Sequence, residues 1–137
     1  MVKVIHTTID AYTKEDYDKL YACNKISAMI WNKILELSLY YRKVTCGKWI
    51  SESELKQLLK NVYPLHSQSV QAIIEKYVIA REDTRLAIQK GYKNKYPYKI
   101  KHHYSSIWKE DGFKIKNNIL ELSLGNFNHK RQKPIKN

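Results

Sequence analysis

The chain has 137 residues, 43% of them hydrophobic, enough for one packed body and too few for several domains. Lys and Arg number 25 against 13 Asp and Glu, and the formal net charge of +12 favours a polyanionic partner, nucleic acid before an anionic membrane surface. Two lone cysteines, Cys23 and Cys46, form no Cys-x-x-Cys pair and so argue against a zinc knuckle or ribbon, and four glycines argue against a Gly-rich phosphate cradle.

In chain order, MVKVIHTTID has no apolar run after its charge and does not read as a signal peptide; its β-branched Lys3–Ile9 reads as a strand. Thr13 with Asp16 makes a capping box, and Ile26, Ile30, Ile34, Leu37 and Tyr41 recur at three and four, so a helix with one buried face is expected up to Gly47. Ser51 with Glu54 makes a cleaner capping box and opens a second helix, with Leu55, Leu58, Leu59 and Val62 on one face and Pro64 as its stop. Ser67 is the expected cap of a third helix with Val70, Ile73, Ile74, Tyr77, Thr84 and Ile88 on its apolar stripe and Gly91 at its end.

After Pro97 the period falls to two. Tyr98, Ile100, His102 and Tyr104 share one face of an expected strand, with Lys99, Lys101 and His103 on the other. Gly112–Lys116 and Ile119–Leu124 flank Asn117-Asn118, a two-residue hairpin signal because Asn tolerates the left-handed backbone of a primed turn. Phe113 and Ile115 are expected to pack with Leu120, Leu122 and Leu124, and the tail NFNHKRQKPIKN reads as polar, basic and mobile at its end. The expected fold class is α+β. A small antiparallel sheet comes from residues 1–12 and 97–137, and a three-helix part, residues 13–96, is inserted between the first strand and the C-terminal strands. No apolar run is long enough to span a bilayer, and a cytoplasmic location is expected.

Charge is not spread evenly. From Gln89 onward there are twelve bases and three acids (Glu110, Asp111 and Glu121), which leaves nine of the twelve net positive charges in the last third. The densest part is GYKNKYPYKIKHHYSSIW, Gly91–Trp108, where lysines alternate with tyrosines and no carboxylate intervenes. Ammonium groups neutralise phosphates and flat rings stack on unpaired bases, so this composition suits nucleic acid.

Four stretches carry a resemblance: IWNKILEL (Ile30–Leu37), SQSVQAII (Ser67–Ile74), the Lys/Tyr/Pro segment Lys90–Lys101, and GFKIKNNILELSLG (Gly112–Gly125). In this order they resemble the N-terminal region of the TnpB (OrfB) family, the transposon-encoded RNA-guided nucleases of insertion sequences, relatives of type V CRISPR effectors. Ser123 departs from the Pro usual in that family's final turn. The resemblance implies a wedge sheet with a helical recognition insertion, gripping guide RNA, the RNA–DNA heteroduplex and a short target-adjacent duplex. Catalysis in that family belongs to a downstream RuvC-like domain with three carboxylates and a zinc ribbon, neither of which this sequence contains.

The expectation is therefore a nucleic-acid-binding module with no catalytic residue, metal or cofactor. Its partners are guide-like RNA and/or duplex DNA and a separate nuclease-domain chain, with no membrane. The alternatives are a non-catalytic DNA-binding regulator, and a subunit or fragment of a larger transposon nuclease. The candidate phosphate contacts are Lys90, Lys93, Lys95, Lys99 and Lys101, against the ordinary fate of a solvated lysine face. Tyr92, Tyr96 and Tyr104 are candidate stacking rings, although tyrosine is also a common half-buried residue. On the third helix Gln71 is a candidate base reader, with Gln68 beside it, and Lys76, Arg81 and Arg85 form a candidate cationic ridge. Ser105 and Ser106, with His103, complete the set through the strand that nears the duplex in the family. His102 and His103, as neighbours on a strand, face opposite ways and cannot chelate together. Asp10, Glu15, Asp16 and Asp18 suit the start of a helix better than catalysis.

Overall fold

The structure, a computed structural model, describes residues 13–127 and 130–136. The expected strand over Lys3–Ile9, and with it the insertion of the helices into a sheet, lies outside them.

Helix α1 (Lys14–Val44) begins at the predicted capping box: Thr13 Oγ1 accepts from the Asp16 N–H at 3.1 Å and Asp16 Oδ2 accepts from the Thr13 N–H at 3.4 Å. Glu15 and Asp16 in the first turn and Arg42 and Lys43 in the last suit the helix dipole. The helix ends where Cys46 and Gly47 turn left-handed, at φ +58° and +102°. Helix α2 (Glu52–Leu59) starts at Ser51, whose hydroxyl accepts from the Glu54 N–H at 3.1 Å, the Ser51 half of the expected capping box. It is shorter than its sequence suggests, stopping at Leu59 rather than Pro64. Leu55 and Leu59 are buried, while Leu58 and Val62 are exposed. Helix α3 (Ser67–Gln89) is capped by His66, not Ser67: the imidazole Nδ1 accepts from the Gln68 N–H at 3.3 Å. Of its expected stripe only Ile88 faces solvent.

The three helices share one core. Ile30 and Ile34 from α1, Leu55 and Leu59 from α2, and Ile73, Ile74 and Tyr77 from α3 are all 2% exposed or less. Burial of side chains of this size, roughly 1.5–3 kcal/mol each, is what holds the helices together.

The strands follow the helices, as an α+β chain with a small antiparallel sheet. Strands β1 (Phe113–Lys116) and β2 (Ile119–Leu122) form the expected hairpin, and Asn117 and Asn118 at φ +52° and +61° give its primed turn. Phe113 pairs with Leu122 and Ile115 with Leu120, yet Ile115 is 70% exposed, so the tip of the hairpin projects past the core. Short strands continue among the described residues of the polar tail. Strands β3 (Asn126–Phe127) and β4 (Lys130–Arg131) pair with each other, and β5 (Ile135–Lys136) completes the sheet in the order β1-β2-β5. Ile135 is the reason: one apolar side chain, 2% exposed, joins the helical core and anchors the end. Gly125 has φ +68° and lies so close to α3 that an added Cβ would stand 2.9 Å from His66 Cα, which locks the exit of β2 against the start of that helix.

Residues 98–104 form no strand. They belong to an extended strap, 92–108, that runs along α1. The period-two pattern is present, but no strand lies beside it. Side chains of α1 take the place of a ladder. The Trp31 indole N–H donates to the Lys99 carbonyl at 3.2 Å, and the Asn32 amide donates to the Lys101 carbonyl and accepts from its N–H, both at 2.8 Å. The Tyr104 N–H donates to the Asn24 carbonyl at 3.0 Å.

Candidate nucleic-acid interface

The strap divides the predicted site residues into two sets. From Lys99 onward the chain is fastened to α1. The Lys101 ammonium lies over the rings of Trp31 and Tyr104, at 4.9 and 4.6 Å, and Lys76 approaches Tyr104 from α3 at 4.9 Å. The Tyr104 ring meets Trp31 edge-on at 5.2 Å, and burial pushes its phenol pKa up. Ser106 shares a hydrogen bond with Ser27 at 2.8 Å and donates to Asn24 Oδ1 at 3.0 Å. His103 lies against Tyr21, with ring centroids 4.8 Å apart and Nε2 3.4 Å from the hydroxyl. Ser105 is exposed. The Tyr104 ring and N–H, the Ser106 hydroxyl and the backbone of Lys101 therefore serve the fold, because each already has a partner within the molecule.

The helix residues are similarly occupied. The Arg81 guanidinium donates to the Ile50 carbonyl at 2.7 Å and lies against Trp49 and Tyr77, tying α3 to the turn before α2. Arg85 is a fork on the Glu82 carboxylate at 3.0 and 3.1 Å; that hydrogen bond raises the arginine pKa and lowers the glutamate's. Gln68 donates to Asp111 at 3.1 Å. Gln71 is half-buried in the wall of a cavity of about 520 Å³ between α2 and the start of α3, where Lys56, Lys60 and His66 also face it. Beyond this cavity, Glu75 bridges Lys109 at 2.8 Å and Lys56 at 3.3 Å. Burial raises the Glu75 pKa, but these two ammonium groups outweigh it and the net shift is downward. Burial takes the Cys23 thiol up to about 11, so it stays protonated and inert at neutral pH.

The first half of the strap stands apart. Tyr92, Lys93, Lys95 and Tyr98 are exposed, and so are Lys90 at the end of α3 and the side chains of Lys99 and Ile100, where the fastened half begins. Ion pairs among the described residues use Lys19, Lys33, Lys56, Arg85, Lys109 and Lys136, and none reaches residues 90–101. From Lys93 to Tyr98 no backbone group is hydrogen-bonded to another described residue. One contact holds this half down: Tyr96 packs on Trp49 with ring centroids 4.7 Å apart. Trp49 also carries the Arg42 guanidinium at 4.0 Å, so Arg42 joins the cationic surface beside the strap. Sequence reasoning missed Arg42 and Trp49. They are seven residues apart across a turn, and nothing local ties either to Tyr96.

Among the described residues no group of three His, Cys, Asp or Glu side chains is placed to hold a metal ion, and no helix is long and apolar enough to cross a membrane. Comparison with protein-family models, curated proteins and solved structures finds no match to this chain.

Proposed function

We propose that the chain is a nucleic-acid-binding module that grips its ligand with the first half of the strap and does not cut it. The observation that carries this reading is the concentration of exposed lysines, Lys90, Lys93, Lys95 and Lys99, on a segment that no ion pair among the described residues reaches, while Glu15, Glu75, Glu82 and Glu121 are paired with other bases. A lysine face built only for solubility would mix both signs. A face of one sign raises the local concentration of a polyanion and gains from the counterions it releases. Two of the three carboxylates of the last third are already engaged within the molecule, which supports binding over cutting: Asp111 is hydrogen-bonded to Gln68 and Glu121 is paired with Lys136 at 3.8 Å.

The order of elements and the motif stretches make this module similar to the N-terminal wedge and recognition part of a TnpB-type nuclease. Cleavage in such a system falls to a separate nuclease chain or domain. A cytoplasmic place of action goes with the polyanionic partner. Titrating the chain with RNA and with duplex DNA at rising salt tests the proposal. The logarithm of the affinity should fall linearly with the logarithm of the salt concentration, with a slope of several units. Absence of binding, or binding indifferent to salt, refutes it.

A further inference from the structure

Resting on that reading, we infer that the ligand is an unpaired strand, held by stacking on Tyr92 and Tyr98 with its phosphates on Lys93, Lys95 and Lys99. Reading a duplex requires an element that enters a groove with free donors and acceptors. Here the groups suited to base edges are engaged or recessed. Arg81 is bound to the Ile50 carbonyl, Arg85 to Glu82, Gln68 to Asp111 and Ser106 to Asn24, while Gln71 sits in a cavity wall.

What does project is aromatic. Tyr92 is 66% and Tyr98 59% exposed, unlike Tyr96 and Tyr104, which are packed on Trp49 and Trp31. The two exposed rings are six residues apart on extended backbone, at most about 20 Å, a span that suits a few nucleotides. Lysines lie between and just after them. The Lys95 ammonium lies 5.6 Å from the Tyr98 ring centre, a looser contact than the two that Lys101 makes, so a cation and an exposed ring stand side by side. The free backbone of 93–98 lets the rings tilt to follow a flexible strand, which the straight rails of a duplex do not need.

The test is fluorescence anisotropy with a labelled oligouridylate of about 20 nucleotides, a length that exceeds one small binding site, and with a duplex of equal length. The wild-type chain should bind the oligouridylate more tightly than the duplex. Tyr92→Ala with Tyr98→Ala should weaken strand binding about five- to a hundredfold for each ring that stacks and leave duplex binding unchanged. Tyr92→Phe with Tyr98→Phe should restore it, because the ring and not the hydroxyl does the stacking. Lys93→Ala, Lys95→Ala and Lys99→Ala together should weaken both ligands. Equal or tighter duplex binding, or an Ala double variant that holds the strand as well as wild type, overturns the inference while nucleic-acid binding stands. Failure of the wild-type chain to bind either probe overturns both.

Discussion

The two halves of the strap have similar composition and opposite fates. Both interleave Lys with Tyr, the later half adds His102 and His103, and neither is a strand. The later half is fixed by side chains of α1 that act as a substitute ladder, so its cations and rings belong to the packing. The earlier half touches the body chiefly through Tyr96 on Trp49 and keeps its lysines free. Interleaved cations and rings therefore do not by themselves mark a ligand surface. A lysine whose ammonium already lies over two rings, like Lys101, has less to offer a phosphate than Lys93.

The largest effect is expected in the fastened half. Trp31 is 6% exposed, holds the Lys99 carbonyl and contacts both Tyr77 and Tyr104, so Trp31→Ala should cost about 3–5 kcal/mol in denaturant unfolding. Asn32→Ala removes both hydrogen bonds to Lys101 and leaves two partly buried backbone groups unpaired. A loss of about 1–3 kcal/mol is expected, with faster hydrogen exchange at Lys101 than at residues inside α1. If that variant is as stable as wild type, the clamp is not what distinguishes the halves.

Acid gives a smaller effect, read away from the strap. The Glu75 pKa is lower in the folded chain than its ordinary 4.5, so the stabilisation from its bridge is complete above that value and fades as pH falls through the depressed folded value. Glu75→Gln should flatten this part of the stability–pH curve, and a curve that keeps its shape would show that the bridge adds nothing. Smallest of all is the expected effect of Lys93→Ala, Lys95→Ala and Lys99→Ala on folding, about 0.5 kcal/mol or less for exposed lysines without ion pairs. A Tm that drops by several degrees would place these lysines in the fold rather than on a ligand.

Local chemistry was legible in the sequence. The Thr13–Asp16 box, the Ser51 cap and the Asn117-Asn118 turn each depend on residues within a few positions, and each stands where expected. So do the buried stripes of α1 and α3, with Ile88 the exception. The failures share a cause. Tyr98–Tyr104 alternates like a strand, but alternation does not supply a neighbour, and the partners are Asn24, Trp31 and Asn32 in the first helix. The polar tail gave no sign of what would hold it, and one buried Ile135 decides its place. Leu58 lies inside α2 but is turned away from the core that Leu55 and Leu59 enter, and Val62 lies beyond the helix end at Leu59. At the candidate site, Lys90–Lys99 were legible as charge, but the loss of Arg81 and Ser106 to internal hydrogen bonds, and the gain of Arg42 beside Trp49, required the packed chain.

The central claim is that the free half binds and the fastened half folds. The most direct test is the salt dependence of oligouridylate binding, measured side by side for wild type, the Lys93/Lys95/Lys99 triple Ala variant and Asn32→Ala. The account predicts that the triple variant loses affinity and that its log–log slope falls by about 0.7 for each strand phosphate released, roughly 2 in all. Asn32→Ala, below its own unfolding transition, should keep the wild-type slope. An unchanged slope in the triple variant, or an equal loss of slope in both variants, would contradict the account.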